Sequence, residues 1–274
     1  MRIQIHKIYF IIFFLPFFSN CYFNPVVNGI LNPLEEENNN SFLGLLGLAQ
    51  GTSNLMITGQ IRNPNGVVML GLGLTPSATA NNIKSTSPYM TDAGGRFYLP
   101  YQSGRISFDV SQNGSPFFTL ILNVLNPNGI TAETVGAPAG LEISNLRTIS
   151  GSETSTFFEL VNAYILDGES NEIPLHNAEV SNWIPAFFFA FTEPTIPALT
   201  TGPLAADWIS QNISISPAAS FDNFMIVTGN TLSVAPMSLP GPAVYEITLK
   251  SGILSATGKS LTPRTIRFTY NYAP

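Results

Sequence analysis

From Leu55 to Tyr270 the chain is written as short apolar runs, many alternating with a period of two. Each is stopped by Gly, Pro, Asn-Gly or Asn-Pro. Successive side chains of a strand point to opposite faces, so this is the pattern of half-buried strands joined by tight turns. There are 22 glycines and 21 prolines in 274 residues, while charged residues make up only 10% against a usual value of about 25%. Hydrophobic residues reach 45%, enough to build packed cores, so the turn-rich composition does not signal disorder. The fold class expected is all-β, with two tandem β-sandwich domains behind a signal peptide and a flexible tether.

The N-terminus has the three parts of an export signal. Arg2 and Lys7 form the positive flank, Ile8 to Phe18 is an apolar run, and Ser19-Asn20 leads to Cys21. A helix over that run, at about 1.5 Å per residue, spans roughly half of a ~30 Å hydrocarbon core, so it reads as a signal and not a membrane span. Residues 1–20 are therefore expected to be a signal peptide. Cys21 is the sole cysteine, and an unpaired thiol in an exported protein needs a use. Phe17-Phe18-Ser19-Asn20-Cys21 resembles a bacterial lipobox, in the loose form of spirochaete lipoproteins. Phe18 and Asn20 stand where Leu and Gly or Ala are usual. The resemblance implies lipidation of Cys21 with diacylglycerol and palmitate-type acyl chains. The membrane is then a partner through the N-terminus, and the expected location is a bacterial cell envelope, with the outer membrane favoured.

Removing residues 1–20 leaves nine Lys+Arg against 17 Asp+Glu, a formal charge of −8. Neither nucleic acid nor an anionic lipid surface suits a chain with that balance and no basic cluster. With one cysteine no internal disulfide can form, so each domain must be held by its own core.

Residues 21–54 carry Asn24-Pro25, Asn28-Gly29, Asn32-Pro33, Glu35-Glu36-Glu37 and Asn38-Asn39-Asn40 without an apolar period, and are expected to be a lipidated tether. Phe42 to Leu48 is an apolar segment that could dock on the first domain or the membrane interface. In residues 55–125 strands are expected at 56–61, 67–72, 105–110 and 117–125. Residues 77–87 read as a polar loop. Tyr89 to Leu99 reads as a hairpin whose turn takes a positive φ at Gly94 or Gly95. Ile57-Thr58-Gly59-Gln60-Ile61, Thr91-Asp92-Ala93-Gly94-Gly95-Arg96-Phe97 and Gly104 to Val110 resemble, in that order, pieces of the carboxypeptidase-regulatory-like (transthyretin-like) β-sandwich. Such modules are mostly non-catalytic spacers or binding modules.

Residues 126–156 are expected to be a linker with one short strand. Residues 157–274 hold strand candidates at 157–166, 187–194, 212–216, 224–227, 231–234, 244–249 and 265–270. The run from Phe187 to Pro194 is apolar enough for a central strand buried on both faces. Phe191-Thr192-Glu193-Pro194, Tyr245-Glu246-Ile247-Thr248-Leu249, Gly252 to Leu261 and Phe268-Thr269 resemble segments of the bacterial Ig-like domain. Ser255 and Thr257 lie around the place where that family's loop often carries Asp, which weakens a calcium site there.

Candidates for chemistry are few. Beyond residue 20 there is one histidine, His176, and no G-x-S-x-G elbow to serve it, so it reads as a loop residue. Asp167, Glu169, Asn171 and Glu172 place oxygen ligands on a short loop as weak metal candidates. Their glycine, Gly168, is second rather than sixth and no bidentate Glu follows at the twelfth place, so a solvated hairpin turn is favoured and no metal is expected. Asp92 reads as a turn former. G-x-G-x-x-G and Walker patterns are absent and no cofactor is expected. The phenylalanine runs are best explained as core strands. The function expected is a lipid-anchored cell-envelope binding or adhesion protein without catalytic activity, taking a protein or glycan ligand. The alternative is a passive structural or spacer lipoprotein, and a carboxylate-based hydrolase is a remote third.

Overall fold

The computed structural model describes residues 55–77, 88–153, 157–195 and 202–272. The first half contains β1 (Leu55–Arg62), β2 (Gly73–Pro76), β3 (Tyr89–Met90), β4 (Arg96–Pro100), β5 (Gly104–Gln112), β6 (Ser115–Asn126), β7 (Gly129–Val135) and β8 (Glu142–Ser150). One sheet runs β4-β1-β8 and the other β3-β2-β5-β6-β7, with every pairing antiparallel. Ile57, Ile61, Phe97 and Leu99 from the first sheet meet Leu74, Ile106, Phe108, Val110 and Leu120 from the second in one core. Ile106, Phe108 and Val110 share the buried face of β5 as their spacing predicts.

Three expectations need correction here. Residues 126–156, read as a linker, supply β7 and β8, which pair with β6 and β1 and complete both sheets. Their polar outward residues disguised them: β7 lies at a sheet edge with its side chains exposed or half-buried. In 67–72 Val68 makes only an isolated bridge to Arg62 and residues 70–71 turn, with Gly71 at φ 74°; the strand follows at Gly73–Pro76. Tyr89–Leu99 is a corner, not a hairpin, because β3 and β4 belong to different sheets. Gly95 takes the positive φ (70°) there. Most of the polar loop expected at 77–87 lies outside the described residues, as do residues 1–54 with the signal peptide, the tether and Cys21.

The second half contains β9 (Leu160–Leu166), β10 (Glu172–Pro174), β11 (Glu179–Val180), β12 (Phe187–Phe191), α1 (Pro203–Asn212), β13 (Ile213–Ser216), β14 (Ser220–Thr228), β15 (Thr231–Ser238), β16 (Ala243–Leu249) and β17 (Arg264–Tyr270). Its sheets run β10-β9-β12-β15-β14 and β11-β17-β16-β13, the β11–β17 pair being parallel. Phe187 meets Phe268 across the sandwich at 5.8 Å between ring centroids, within an aromatic-rich core. β12 is central, but it is fully buried on one face only. Phe187, Phe189 and Phe191 enter the core, while Phe188 is half-buried on the other face and stacks on Tyr164 at 5.2 Å. The helix α1 was not anticipated. Pro203 starts it and Ala205, Ile209 and Asn212 form its buried stripe.

All described residues belong to one compact unit, Asn54–Pro274. Among them no helix is long and apolar enough to cross a membrane.

Candidate functional site

The junction of the two halves grows out of the pleat of β1. Ile57 and Ile61 point into the first core, so Thr58, Gln60 and Arg62 must point the other way. In an open antiparallel sheet that face would be wet. Here the start of the second half covers it, leaving Gln60 and Arg62 at 1% exposure and Glu159, just before β9, at 2%. Charges so deeply buried persist only when paired and hydrogen-bonded.

Glu159 is the hub. Its Oε1 accepts from Arg96 Nε at 2.6 Å and from Thr262 Oγ1 at 2.8 Å, and its Oε2 accepts from Gln60 Nε2 at 3.3 Å. Gln60 Nε2 also donates to the Gly94 carbonyl at 2.7 Å, and Gln60 Oε1 accepts from Arg62 Nε at 3.2 Å and Asn145 Nδ2 at 3.1 Å. Arg62 completes its bonds with backbone carbonyls, Nη1 to Gly66 at 2.7 Å and Nη2 to Leu160 at 2.6 Å. Burial, then the charge of Arg264, brings the Arg62 guanidinium down to about 10 against the pull of Glu159 and Glu142. It stays protonated at neutral pH. Gly94 is required by close approach, since a Cβ there would lie 2.9 Å from Glu159 Cγ.

A second cluster flanks the first. Glu142 of β8 accepts from His176 Nε2 at 2.9 Å and forms an ion pair with Arg264 of β17 at 2.7 Å. Burial would raise the Glu142 carboxyl, but the bonds from His176 and Arg264 outweigh it and bring it to about 2. His176 Nδ1 accepts from the Arg267 backbone N–H at 3.2 Å, so both ring nitrogens are occupied. Gly66, at φ 75°, lies against this ring; a Cβ there would come within 2.7 Å of His176 Cβ. Asn177 Nδ2 donates to the Pro64 carbonyl at 2.8 Å and Val68 N–H to the Val161 carbonyl at 3.1 Å, adding two more bonds between the halves.

The residues singled out by sequence lie elsewhere, His176 excepted. Asp167 closes the β9–β10 turn, its Oδ1 accepting from the backbone of Glu169 and Asn171 and its Oδ2 from Asn171 Nδ2. Glu172 Oε2 faces Asn162 Nδ2 at 3.4 Å. The four weak metal candidates are thus spent on a turn and a strand pair. Among the described residues no group of three or more His, Cys, Asp or Glu could hold a metal ion. Asp92 is a turn former, its Oδ1 accepting from Gly94 and Arg96 N–H and its Oδ2 from the Tyr98 hydroxyl. Burial, then the Asp92 charge, raises the Tyr98 phenol. In the 252–261 loop Ser255 Oγ accepts from Lys259 N–H, and Thr257 Oγ1 and Lys259 Nζ both bind Glu193. Hydroxyls and a lysine therefore tie the loop to Glu193-Pro194.

Sequence reasoning missed the junction. The one signal available was charge in the wrong place: Glu159 stands inside the apolar run from Phe157 to Leu160. No protein-family model matches the chain, and no curated protein matches it.

Proposed function

We propose that the protein is anchored by lipid at Cys21 in a bacterial cell envelope and acts there as a binding protein without catalytic activity. The leader supports the first part: a positive flank, eleven residues from Ile8 to Phe18 and a short polar exit, Ser19-Asn20, lead to the chain's sole cysteine. The observation that carries the second is the junction. Glu159, Gln60, Arg62 and Arg96 fasten two separate cores through buried, directional bonds, so loops from both halves sit on one scaffold. Loops held that way are where binding commonly resides. Resemblance to transthyretin-like and bacterial Ig-like modules agrees with this reading, as those modules mostly bind or space. The same fastened junction favours a second reading, a passive spacer lipoprotein.

The test is the intact mass and membrane retention of the native protein beside Cys21→Ser. The expected result is a mature chain starting at Cys21 and carrying acyl chains, with the variant released from the membrane. An unacylated mass, or equal retention of the variant, overturns the anchor. Saturable binding of the released protein to matrix proteins, glycans or envelope fractions separates binder from spacer.

A further inference from the structure

Natural sheets keep their edges from pairing with another chain by short length, proline, bulges or a covering element. Seven of the eight edges among the described sheets carry such a guard. β3, β4, β10, β11 and β13 are short strands, three of them closed by Pro100, Pro174 and Pro217. β8 has a break in register opposite Thr58 and Gln60 and takes Asn145 to φ 53°. β14 loses register twice, and α1 packs against it, with Gly202 N–H donating to the Asn223 carbonyl. β7 has none of these. From Ile130 to Val135 it runs in unbroken register on β6, without proline or a basic residue, and the one irregularity lies before it, at Leu125 of β6. Its single charge, Glu133, is drawn back over the sheet by Asn123 at 3.0 Å and Arg105 at 3.6 Å.

Alternate residues of β7 therefore direct N–H and C=O groups outward with no strand beside them among the described residues. A second copy of β7 fits this edge in one register. Opposed side chains of an antiparallel pair share a face, so a two-fold axis has to pass through a residue. Through Glu133 it would set two carboxylates against each other, which is destabilising. Through Thr131 it would carry Val135 past the strand to Pro127. Through Ala132, the middle of Gly129–Val135, all seven residues pair, and Glu133 stands opposite Thr131. The same register brings together two side chains that each copy leaves in water. Leu125 is 82% exposed beside Gly129, and Val135 is 59% exposed at the other end of β7. Pairing about Ala132 sets Val135 of the second copy against Gly129, so no side chain separates it from Leu125. Either residue alone would be an ordinary surface apolar, but the two-fold buries both, twice.

We propose that the outer edge of β7 is a homodimer interface, in which two copies pair antiparallel about Ala132 and join their five-stranded sheets into one. Backbone hydrogen bonds hold the pair, and the Leu125–Val135 contacts at its two ends fix the register. A two-fold pairing closes on itself, so association stops at two copies. The inference stands apart from the reading of the protein as a lipid-anchored binder and concerns a surface that reading does not use.

The experiment is sedimentation equilibrium of the full-length Cys21→Ser protein, which has no acyl chain to drive association. A monomer–dimer equilibrium without larger species is expected. Val135→Glu and Leu125→Glu, both at exposed positions and so expected to fold, should each weaken the dimer about tenfold or more, since each sets a charge against an apolar neighbour in the paired edge. Leu204→Glu, equally exposed but on α1, should leave it unchanged. In the same background Ala132→Cys supplies the only thiol, and a short bis-maleimide should join it to its own copy, while Gln112→Cys at the far end of β5 should not be joined. A monomer at every concentration overturns the proposal, including one whose β7 amides become protected from exchange only with an envelope fraction, which would assign the edge to another protein's strand. A dimer indifferent to both glutamates, or an Ala132→Cys chain that does not cross-link, overturns it as well. None of these results bears on membrane anchoring, which the mass and retention of the native protein read separately.

Discussion

Phe189 and Glu159 flank the same strand pairing: β12 lies against β9, Phe189 opposite Ala163, and Glu159 immediately precedes β9. Both side chains are excluded from water, Phe189 at 0% exposure and Glu159 at 2%. Phe189 belongs to an apolar core cluster, where neighbours need chiefly the right volume. Both carboxylate oxygens of Glu159 have assigned partners, drawn from β1, β4 and the 262 region. A change of shape in the core should therefore cost less than a change of charge at the junction that leaves the shape alone. Recognition chemistry belongs to the second kind of surface, because apolar packing leaves no donor over for a ligand.

The largest effect is expected from Glu159→Gln, which keeps the volume and removes the charge. The amide oxygen can still accept from Arg96 and Thr262. Its NH2 then faces Gln60 Nε2, donor against donor, and Gln60 cannot flip because its oxygen already serves Arg62 and Asn145. Arg62 and Arg96 also lose their shared counter-charge. Breaking a buried pair this way costs about 3–5 kcal/mol, read as a lower urea midpoint. A midpoint equal to wild type would mean that the junction contributes nothing net and that the contrast with the core is empty.

Phe189→Leu sharpens the other side. It removes volume from a fully buried site but leaves every neighbour apolar, so the loss should be about 1–2 kcal/mol, well below the ~3–5 kcal/mol of Phe→Ala truncations. Equilibrium urea unfolding of the two variants side by side gives the ranking. If Phe189→Leu proves the more damaging, shape governs both regions and the distinction fails.

The same contrast explains what could be read from the sequence. Alternation placed β5, β16 and β17 because Ile106, Phe108 and Val110, or Tyr245, Ile247 and Leu249, have to share one face. The Asp167 and Asp92 turns were legible because their Asx chemistry is local. β7 and β8 were not, since an edge strand and a strand whose outer face meets the other half both carry polar residues where a sandwich strand would be apolar. Thr58, Gln60 and Arg62 alternate with apolar residues, the pattern that a solvent face would also have. Whether such a face meets water or a second sandwich is set by contacts about a hundred residues apart in sequence, such as Arg62 with Leu160, and no local pattern encodes them. His176 was read as a loop residue and is one, but its bond to Glu142 joins positions that no motif links.

The smallest effect is expected where the junction reaches solvent. Glu142 has a quarter of its side chain exposed, and its carboxyl stands at about 2 in the folded protein against an ordinary 4.5. A depressed carboxyl stabilises the fold above its unfolded value and loses that contribution as pH falls through the folded one. The window is therefore pH 4.5 down to about 2, and His176 and Arg264 are the groups that set it. Screening by solvent holds the contribution to about 1 kcal/mol. Glu142→Gln should unfold at a slightly lower urea midpoint at pH 7, and the gap from wild type should close as the pH is lowered toward 2. A gap that stays constant from pH 7 to pH 2 would show that Glu142 acts through packing, as a core residue does. The junction's rim would then belong with the apolar interior and not with the charged network around Glu159.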